Sequence, residues 1–371
     1  MSNGRAAGVS ALIWQHGRER YFHAAGFADR EARRPMDRRT LFQIYSMTKP
    51  VTGVALMQLW EQGRFRLDDP LSRHLRRFAR MQVDRGAGAL SAAARPILVR
   101  DLLRHTAGLS YGTGETAADH AYRRADPLNP ANDLAEAGRR LAEIPLIAEP
   151  GAIWSYSAAV DVQALLVETL AGAPFELHVR RNVLEPLKMV ETGWTQPASH
   201  LDRLAAVYAG GQAGDLVRQP DAQTRANNFS PSRRLTMGGA GLVSSIDDYM
   251  RFCRMLLAGG QLDGARVLKA STIRLMASDQ LDPAIAWRHF LPSKGSVGFG
   301  FDFAVRTAPP ATEEENRGEV GEFFWDGYAS TLFWVDPVND LAAVFMVQRI
   351  PFDGALHHDF RQAVYGPGYP G

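Results

Sequence analysis

The chain has 371 residues, 46% of them hydrophobic, and a formal net charge of only +2 at neutral pH, and its arginines are mostly interleaved with acidic residues. These values predict one large domain or two domains with a sizeable core, and they exclude a long basic tract for binding nucleic acid or an anionic membrane surface. The single cysteine, Cys253, excludes an intramolecular disulfide framework and a multi-cysteine metal centre.

The N-terminal part of the chain predicts a hairpin followed by a buried helix. Residues 8–28 form two strand-like runs around a glycine-containing turn. Residues 46–63 have a helical pattern that is apolar nearly all round and ends at Gly63. Pro50 sets the start of this helix, because proline is tolerated only in the first turn, where backbone N–H groups have no partner. Ser46 is therefore predicted at the N-terminus of the helix.

The rest of the chain divides by its periodicity. Residues 85–230 are rich in Ala, Leu and Arg with helical spacing, whereas residues 298–350 return to alternating strand patterns. Strands at both ends with helices between them predict an α+β fold, in which an antiparallel sheet built from both chain ends is flanked by helices. We place the α/β domain at 1–84 and 231–371, and an inserted, mostly helical domain at 85–230.

A scarce residue type marks the start of the buried helix. The basic residues comprise 38 Arg and 4 Lys, and Lys49 lies three residues after Ser46 in the chain's only S-x-x-K. Positions i and i+3 share a helix face, so Lys49 can reach the Ser46 hydroxyl. The positive end of the helix and the apolar setting both lower the pKa of Lys49, and a lysine, unlike an arginine, can then act as a base. The alternative is that Ser46 is an N-cap and Lys49 a surface residue.

Two further segments extend the motif. Tyr156 lies in a turn after Pro150-Gly151 and before a helix, and Trp325-Asp326-Gly327 begins a predicted strand. Together with "RHTAGLSYG" and "GGAGLVSSIDDYMRF", their order and spacing resemble the serine β-lactamase and penicillin-binding-protein superfamily over about residues 8–365. More narrowly, the chain resembles the class C β-lactamase-like branch, which includes the family VIII carboxylesterases and related acyltransferases.

The resemblance implies roles for individual residues. It makes Ser46 the nucleophile, Lys49 its base and Tyr156 the partner in proton transfer. It assigns the oxyanion hole to the backbone N–H groups of Ser46 and Tyr328. The positions that match the family's third motif, usually K-T-G, imply substrate binding by Trp325, Asp326 and Gly327.

These roles predict a serine hydrolase that cleaves neutral carboxylic esters through an acyl-enzyme and that can also transfer the acyl group. Trp325 and Asp326 replace a positive charge and a hydroxyl that would attract a substrate carboxylate, and an ionised Asp326 would repel one. One alternative is a β-lactamase or a D-amino-acid peptidase. Another is a catalytically dead scaffold of the same fold that binds a partner, which the intact Ser46, Lys49 and Tyr156 argue against.

The remaining expectations concern partners and location. The ten histidines include no H-E-x-x-H, so we predict no metal and no cofactor. No stretch approaches the roughly 20 apolar residues of a membrane span, and we predict a cytoplasmic protein without a membrane or nucleic-acid partner. We expect a small-molecule ester substrate, and the sequence does not predict the oligomeric state.

Overall fold

In the computed structural model of the protein, which describes residues 4–211, 215–230 and 234–366, long strands occur near both ends of the chain and helices fill much of the middle. The strands are β1 (Gly8–Gln15), β2 (Arg18–Asp29), β3 (Arg34–Pro35), β4 (Leu41–Gln43), β5 (Gln82–Asp84), β6 (Leu90–Ala92), β7 (Tyr208–Gly210), β8 (Leu216–Arg218), β9 (Val243–Ser245), β10 (Gln261–Leu262), β11 (Ala265–Arg266), β12 (Val297–Phe299), β13 (Ala304–Arg306), β14 (Phe323–Asp326), β15 (Leu332–Asp336), β16 (Leu341–Val347) and β17 (Arg349–Ile350). The helices are α1 (Thr48–Glu61), α2 (Val99–Leu103), α3 (Ala117–Ala125), α4 (Leu134–Glu143), α5 (Ala159–Ala171), α6 (Phe175–Val179), α7 (Ala222–Asn228), α8 (Ile246–Leu257), α9 (Ala270–Met276) and α10 (Gly354–Tyr365).

One eight-stranded antiparallel sheet organises the molecule, with the strand order β12-β13-β14-β15-β16-β1-β2-β3. At its centre β1 pairs with β16, so that Leu12 lies opposite Val344 and the two chain ends meet. β1 and β2 form the predicted hairpin, and its turn contains His16 and Gly17, both with positive φ. The predicted α+β fold with a sheet built from both chain ends is confirmed.

Helices cover both faces of this sheet. Side chains alternate along β15, so Phe333 packs against Tyr249 of α8 on one face, and Trp334 packs against Phe360 of α10 on the other. The sheet is therefore the middle of three layers.

Helix α1 is buried nearly all round, as its composition predicts. Only Gln58, Trp60 and Glu61 among its residues escape full burial. It packs against α5, and Gly53 allows the Asp302 carboxylate to approach, since a Cβ at Gly53 would lie 2.5 Å from Asp302 Oδ2. This packing holds the N-terminus of α1 between the sheet and the helices.

The helices α2 to α6 all lie within the predicted insert at 85–230. Strand β7 of the same segment pairs in parallel with β17 near the C-terminus. The division of the chain into two domains stays a prediction. Within the described ranges, every helix is too short or too polar to cross a membrane.

Candidate active site

The predicted nucleophile lies at a helix N-terminus, as expected. Ser46 belongs to a single 3₁₀ turn (Tyr45–Met47) directly before α1. The Nζ atom of Lys49 donates to Ser46 Oγ at 3.1 Å and to the Gly239 carbonyl oxygen at 2.7 Å. Tyr45 has a φ of 43°, a backbone conformation that residues other than glycine rarely adopt. Such strain is concentrated at functional sites, where the surrounding structure holds it in place.

The environment of Lys49 suits a base. Lys49 is 2% exposed, and this burial lowers the pKa of Lys49 to about 8, against the opposing effect of negative charge on Asp161, Asp302 and Asp326. The Nζ atom also lies 4.5 Å from the centre of the Tyr156 ring. A lysine with this pKa has a large neutral fraction at mildly alkaline pH and can then accept the Ser46 proton.

Tyr156, from the turn before α5, completes the group of three. Its phenol oxygen accepts a hydrogen bond of 3.2 Å from the indole N–H of Trp325, and the Ser46 hydroxyl is a second hydrogen-bond partner. Burial raises the pKa of Tyr156 above its usual value, so its hydroxyl stays protonated at neutral pH. The structure therefore brings Ser46, Lys49 and Tyr156 together, and the protonated phenol of Tyr156 can donate its proton.

An aromatic cluster supports the Tyr156 ring; it consists of His105, Tyr111, Trp154, Phe290 and Trp325. The His105 ring centre lies 4.9 Å from that of Tyr156, and burial lowers the pKa of His105 well below its usual value. His105 is thus neutral at pH 7, and its Nδ1 accepts the backbone N–H of Ser157 at 3.3 Å. These contacts give His105 a structural role beside Tyr156.

A glycine in the turn at 238–241 allows several functional groups to converge. A Cβ at Gly239 would lie 2.7 Å from the Tyr111 hydroxyl, 2.9 Å from Asp161 Oδ2 and 3.3 Å from Lys49 Nζ. Asp161 Oδ1 accepts the Gly239 N–H at 3.1 Å. Contacts below about 3.0 Å to a Cβ are essentially never seen, so any other residue at this position would force the Tyr111 and Asp161 side chains to move.

The segments that carry the two predicted oxyanion donors pack together. A Cβ at Gly327 would lie 2.7 Å from the carbonyl oxygen of Ile44, and the Tyr45 and Tyr328 rings meet edge to face at 5.9 Å. In the described part of the chain, the Tyr328 backbone N–H donates to no other backbone group. The oxyanion role of the Ser46 and Tyr328 N–H groups stays a prediction.

Asp326 has a partner of opposite charge, and the expected repulsion of anionic substrates stays a prediction. Adjacent side chains of β14 point to opposite faces, so Trp325 meets Tyr156 whereas Asp326 forms a buried ion pair with Lys294. The side chains of Lys294 and Asp326 are 9% and 12% exposed. The negative charge of Asp326 is thus balanced within the protein, and of the third motif Trp325 and Gly327 are the residues that border Tyr156 and the nucleophile turn.

Four residues near the reactive groups were not predicted from the sequence: Tyr111, Asp161, Asp302 and Lys294. Lys294 is the second buried lysine of only four, and its scarcity was a usable signal. Tyr111 lies within one of the quoted motifs. Asp161 and Asp302 carried no local signal, because their roles depend on contacts with distant parts of the chain.

The chain also contains one G-x-S-x-G pattern, from Gly108 to Gly112, which is typical of the nucleophile elbow of a different hydrolase fold. An elbow follows a strand directly and opens a helix, whereas residues 104–116 follow α2 and contain no strand. The Ser110 hydroxyl donates to Asp119 and accepts the Gly112 N–H at 2.8 Å. Ser110 is therefore part of a turn, and it is not an activated nucleophile.

A serine and a lysine in S-x-x-K spacing at a helix N-terminus, beside an antiparallel sheet, are the arrangement of the serine β-lactamase-like proteins. The chain belongs to this family, since the beta-lactamase family model matches residues 1–365. Esterase EstB from Burkholderia gladioli is 32% identical, over 97% of this chain and 91% of EstB. Protein Rv1367c from Mycobacterium tuberculosis is 36% identical, over 94% of this chain and 87% of its own length.

The solved structures agree with this assignment. EstCE1, a hydrolase with promiscuous acyltransferase activity, superposes with a TM-score of 0.83 at 29% identity and covers 98% of this chain and 95% of its own. The family predicted from the motifs and its fold are confirmed.

Proposed function

We propose that this protein is a serine carboxylesterase that cleaves neutral carboxylic esters through an acyl-enzyme on Ser46, and that it also transfers the acyl group to alcohols or amines. The observation that carries the proposal is the 3.1 Å hydrogen bond between Lys49 Nζ and Ser46 Oγ, made by a buried lysine whose pKa is lowered to about 8. The similarity to EstB, named an esterase, and to EstCE1, a hydrolase with acyltransferase activity, supports the same reaction class.

The geometry supports a two-step reaction. Neutral Lys49 takes the proton of Ser46 as its Oγ attacks the ester carbonyl carbon, and the backbone N–H groups of Ser46 and Tyr328 hold the oxyanion. The bond to the alcohol then breaks, and the alkoxide receives a proton from Tyr156, which Lys49 reprotonates. Water or a second alcohol repeats the sequence in reverse and releases the acid or a new ester from Ser46.

The surroundings of Ser46 favour uncharged substrates. Trp325 offers an apolar ring, and its single N–H is already used by Tyr156. The positive charge of Lys294, which would otherwise attract a carboxylate, is paired with Asp326. The ring carboxylate of a β-lactam therefore finds no unpaired cation among these residues. A neutral ester needs no cation, so its binding is not weakened.

Substitution of the three central residues tests the proposal. Ser46→Ala should abolish the acyl-enzyme mass seen with p-nitrophenyl butyrate, and Lys49→Arg should reduce turnover by more than about tenfold, because arginine does not release its proton. Tyr156→Phe should lower turnover by ~10² to 10⁴. Lys188→Arg at an exposed position is the matched control and should behave as wild type. Acylation that persists in Ser46→Ala would exclude Ser46 as the nucleophile.

A side-by-side measurement separates the esterase from the β-lactamase alternative. For an esterase, we expect kcat/KM for p-nitrophenyl butyrate to exceed that for nitrocefin by at least about 10²-fold. This ratio corresponds to a difference of ~2.7 kcal/mol in activation free energy. Equal or faster nitrocefin turnover would make β-lactam hydrolysis the leading function. The cytoplasmic location stays a prediction from the sequence.

A further inference from the structure

A cavity of about 250 Å³ adjoins the nucleophile turn on a side that the reaction steps above do not use. Neither Ser46, Lys49 nor Tyr156 lines it. Its apolar walls come mainly from Tyr45, Trp194, Leu235, Met237, Ala240 and Leu242. The cavity therefore borders Tyr45, the residue before Ser46. It also borders the turn at 238–241, in which the Gly239 carbonyl oxygen accepts a hydrogen bond from Lys49.

The cavity is separate from the rings that surround Tyr156, the proposed proton donor. Among the residues whose rings pack against Tyr156, none lines the cavity. In an ester, the alcohol oxygen and the acyl chain leave the carbonyl carbon in different directions. Because Tyr156 protonates the departing alcohol, the alcohol occupies the Tyr156 side and the acyl chain extends away from it.

The lining of the cavity defines the chemistry of its occupant. No Asp, Glu, Lys or Arg is among the described residues that line it. The Asn228 amide already donates to the backbone oxygens of Trp194 and Gly241 at 2.8 and 2.7 Å, and Gln43 Oε1 accepts from Thr224 at 3.2 Å. From the described lining a charged group would gain no partner of opposite charge for the water that it loses, which is costly, whereas an apolar chain gains free energy from the same transfer.

We propose that this cavity is the acyl-group site and that it takes neutral, apolar acyl chains longer than acetyl, with an optimum at about six to eight carbons. The proposal rests on the carboxylesterase function. The length follows from the volume, because an apolar cavity of about 150 Å³ is known to hold benzene, and this cavity is larger. Each methylene buried here should raise kcat/KM by about fourfold until the cavity is full.

Two ester series distinguish the acyl site from an alcohol site. One series is the p-nitrophenyl esters from acetate to dodecanoate, and the other is the butyrate esters of methanol to octanol. In wild type, kcat/KM should rise by at least about 10²-fold from acetate to the optimum acyl length and then fall. Met237→Trp, which fills the cavity, should lower the octanoate-to-acetate ratio by at least about tenfold, and Met237→Ala should move the optimum to longer chains.

Val190→Trp places the same indole at a position that is 84% exposed, and it should keep the wild-type ratios in both series. Met237→Ala removes bulk instead of adding it, so the experiment remains decisive if Met237→Trp fails to fold. Unchanged acyl-length profiles in the Met237 variants would overturn the proposal, as would a shift confined to the alcohol series. If wild type cleaves esters but either of these outcomes is found, only the acyl-site proposal fails. If wild type cleaves no ester, the proposed esterase function fails as well.

Discussion

The ammonium of Lys294 pairs with the carboxylate of Asp326, and the same ammonium lies 4.9 Å from the centre of the Trp325 ring. Trp325 in turn donates its indole N–H to Tyr156. A buried ion pair thus packs against the residue that donates to Tyr156, the proposed proton donor. Cations within about 6 Å of an indole face attract the ring, so Lys294 also helps to fix the position of Trp325.

We expect the loss of one charge of this ion pair to destabilise the fold more than the loss of both charges. Lys294→Met should lower the free energy of unfolding by about 3 to 5 kcal/mol, because it leaves the Asp326 charge buried without a partner. Adding Asp326→Asn should recover much of that loss. Urea unfolding of the two single variants and the double variant measures the coupling; equal stability of Lys294→Met and the double variant would contradict it.

The hydrogen bond from Trp325 to Tyr156 should contribute to turnover. Trp325→Phe keeps an aromatic ring but removes the N–H, so kcat should fall by about twofold to thirteenfold, the range of a hydrogen bond of about 0.5 to 1.5 kcal/mol. Trp154→Phe is a matched control, since Trp154 packs on the same Tyr156 ring and its buried N–H has no hydrogen-bond partner within the described residues. Equal losses of kcat in the two variants would assign Trp325 a packing role only.

The pH dependence of ester cleavage should follow Lys49. The base must be neutral, so kcat/KM should fall as the pH drops through about 8, the pKa of buried Lys49. Negative charge on Asp161 raises the pKa of Lys49, and Asp161→Asn should therefore move the midpoint of the profile to lower pH. A pH–rate profile of both proteins with one p-nitrophenyl ester checks this, and a midpoint that stays in place or rises in Asp161→Asn would contradict it.

The convergence at Gly239 should be sensitive to a single methyl group. Gly239→Ala places a Cβ within 2.9 Å of Tyr111 and Asp161, which must move and disturb the hydrogen bonds of Lys49. We expect a loss of kcat of at least about tenfold and a stability loss of about 1 to 3 kcal/mol from overpacking. At Gly354, where the nearest atom would be 3.4 Å away, the same substitution is the control. Wild-type kcat in Gly239→Ala would show that the turn adjusts.

The sequence by itself determined the parts of the site that depend on local geometry. Residues three apart on a helix share a face, so the S-x-x-K spacing was enough to place Lys49 beside Ser46, and Pro50 was enough to place both near the helix start. The alternating runs at both chain ends were likewise enough to predict a sheet built from those ends. These features follow from short-range backbone periodicity, which a sequence displays directly.

Only the tertiary structure decided which distant groups meet around those residues. The Gly239 carbonyl that accepts from Lys49 lies 190 positions away in sequence, and the lysine that neutralises Asp326 lies 32 positions away. Whether Asp326 or Trp325 faces Tyr156 depends on the register of β14 in the sheet, because a shift of one residue exchanges the two faces. The cavity beside Tyr45 is likewise formed by segments that are distant in sequence, such as those of Trp194 and Met237, and no local pattern predicts that they meet.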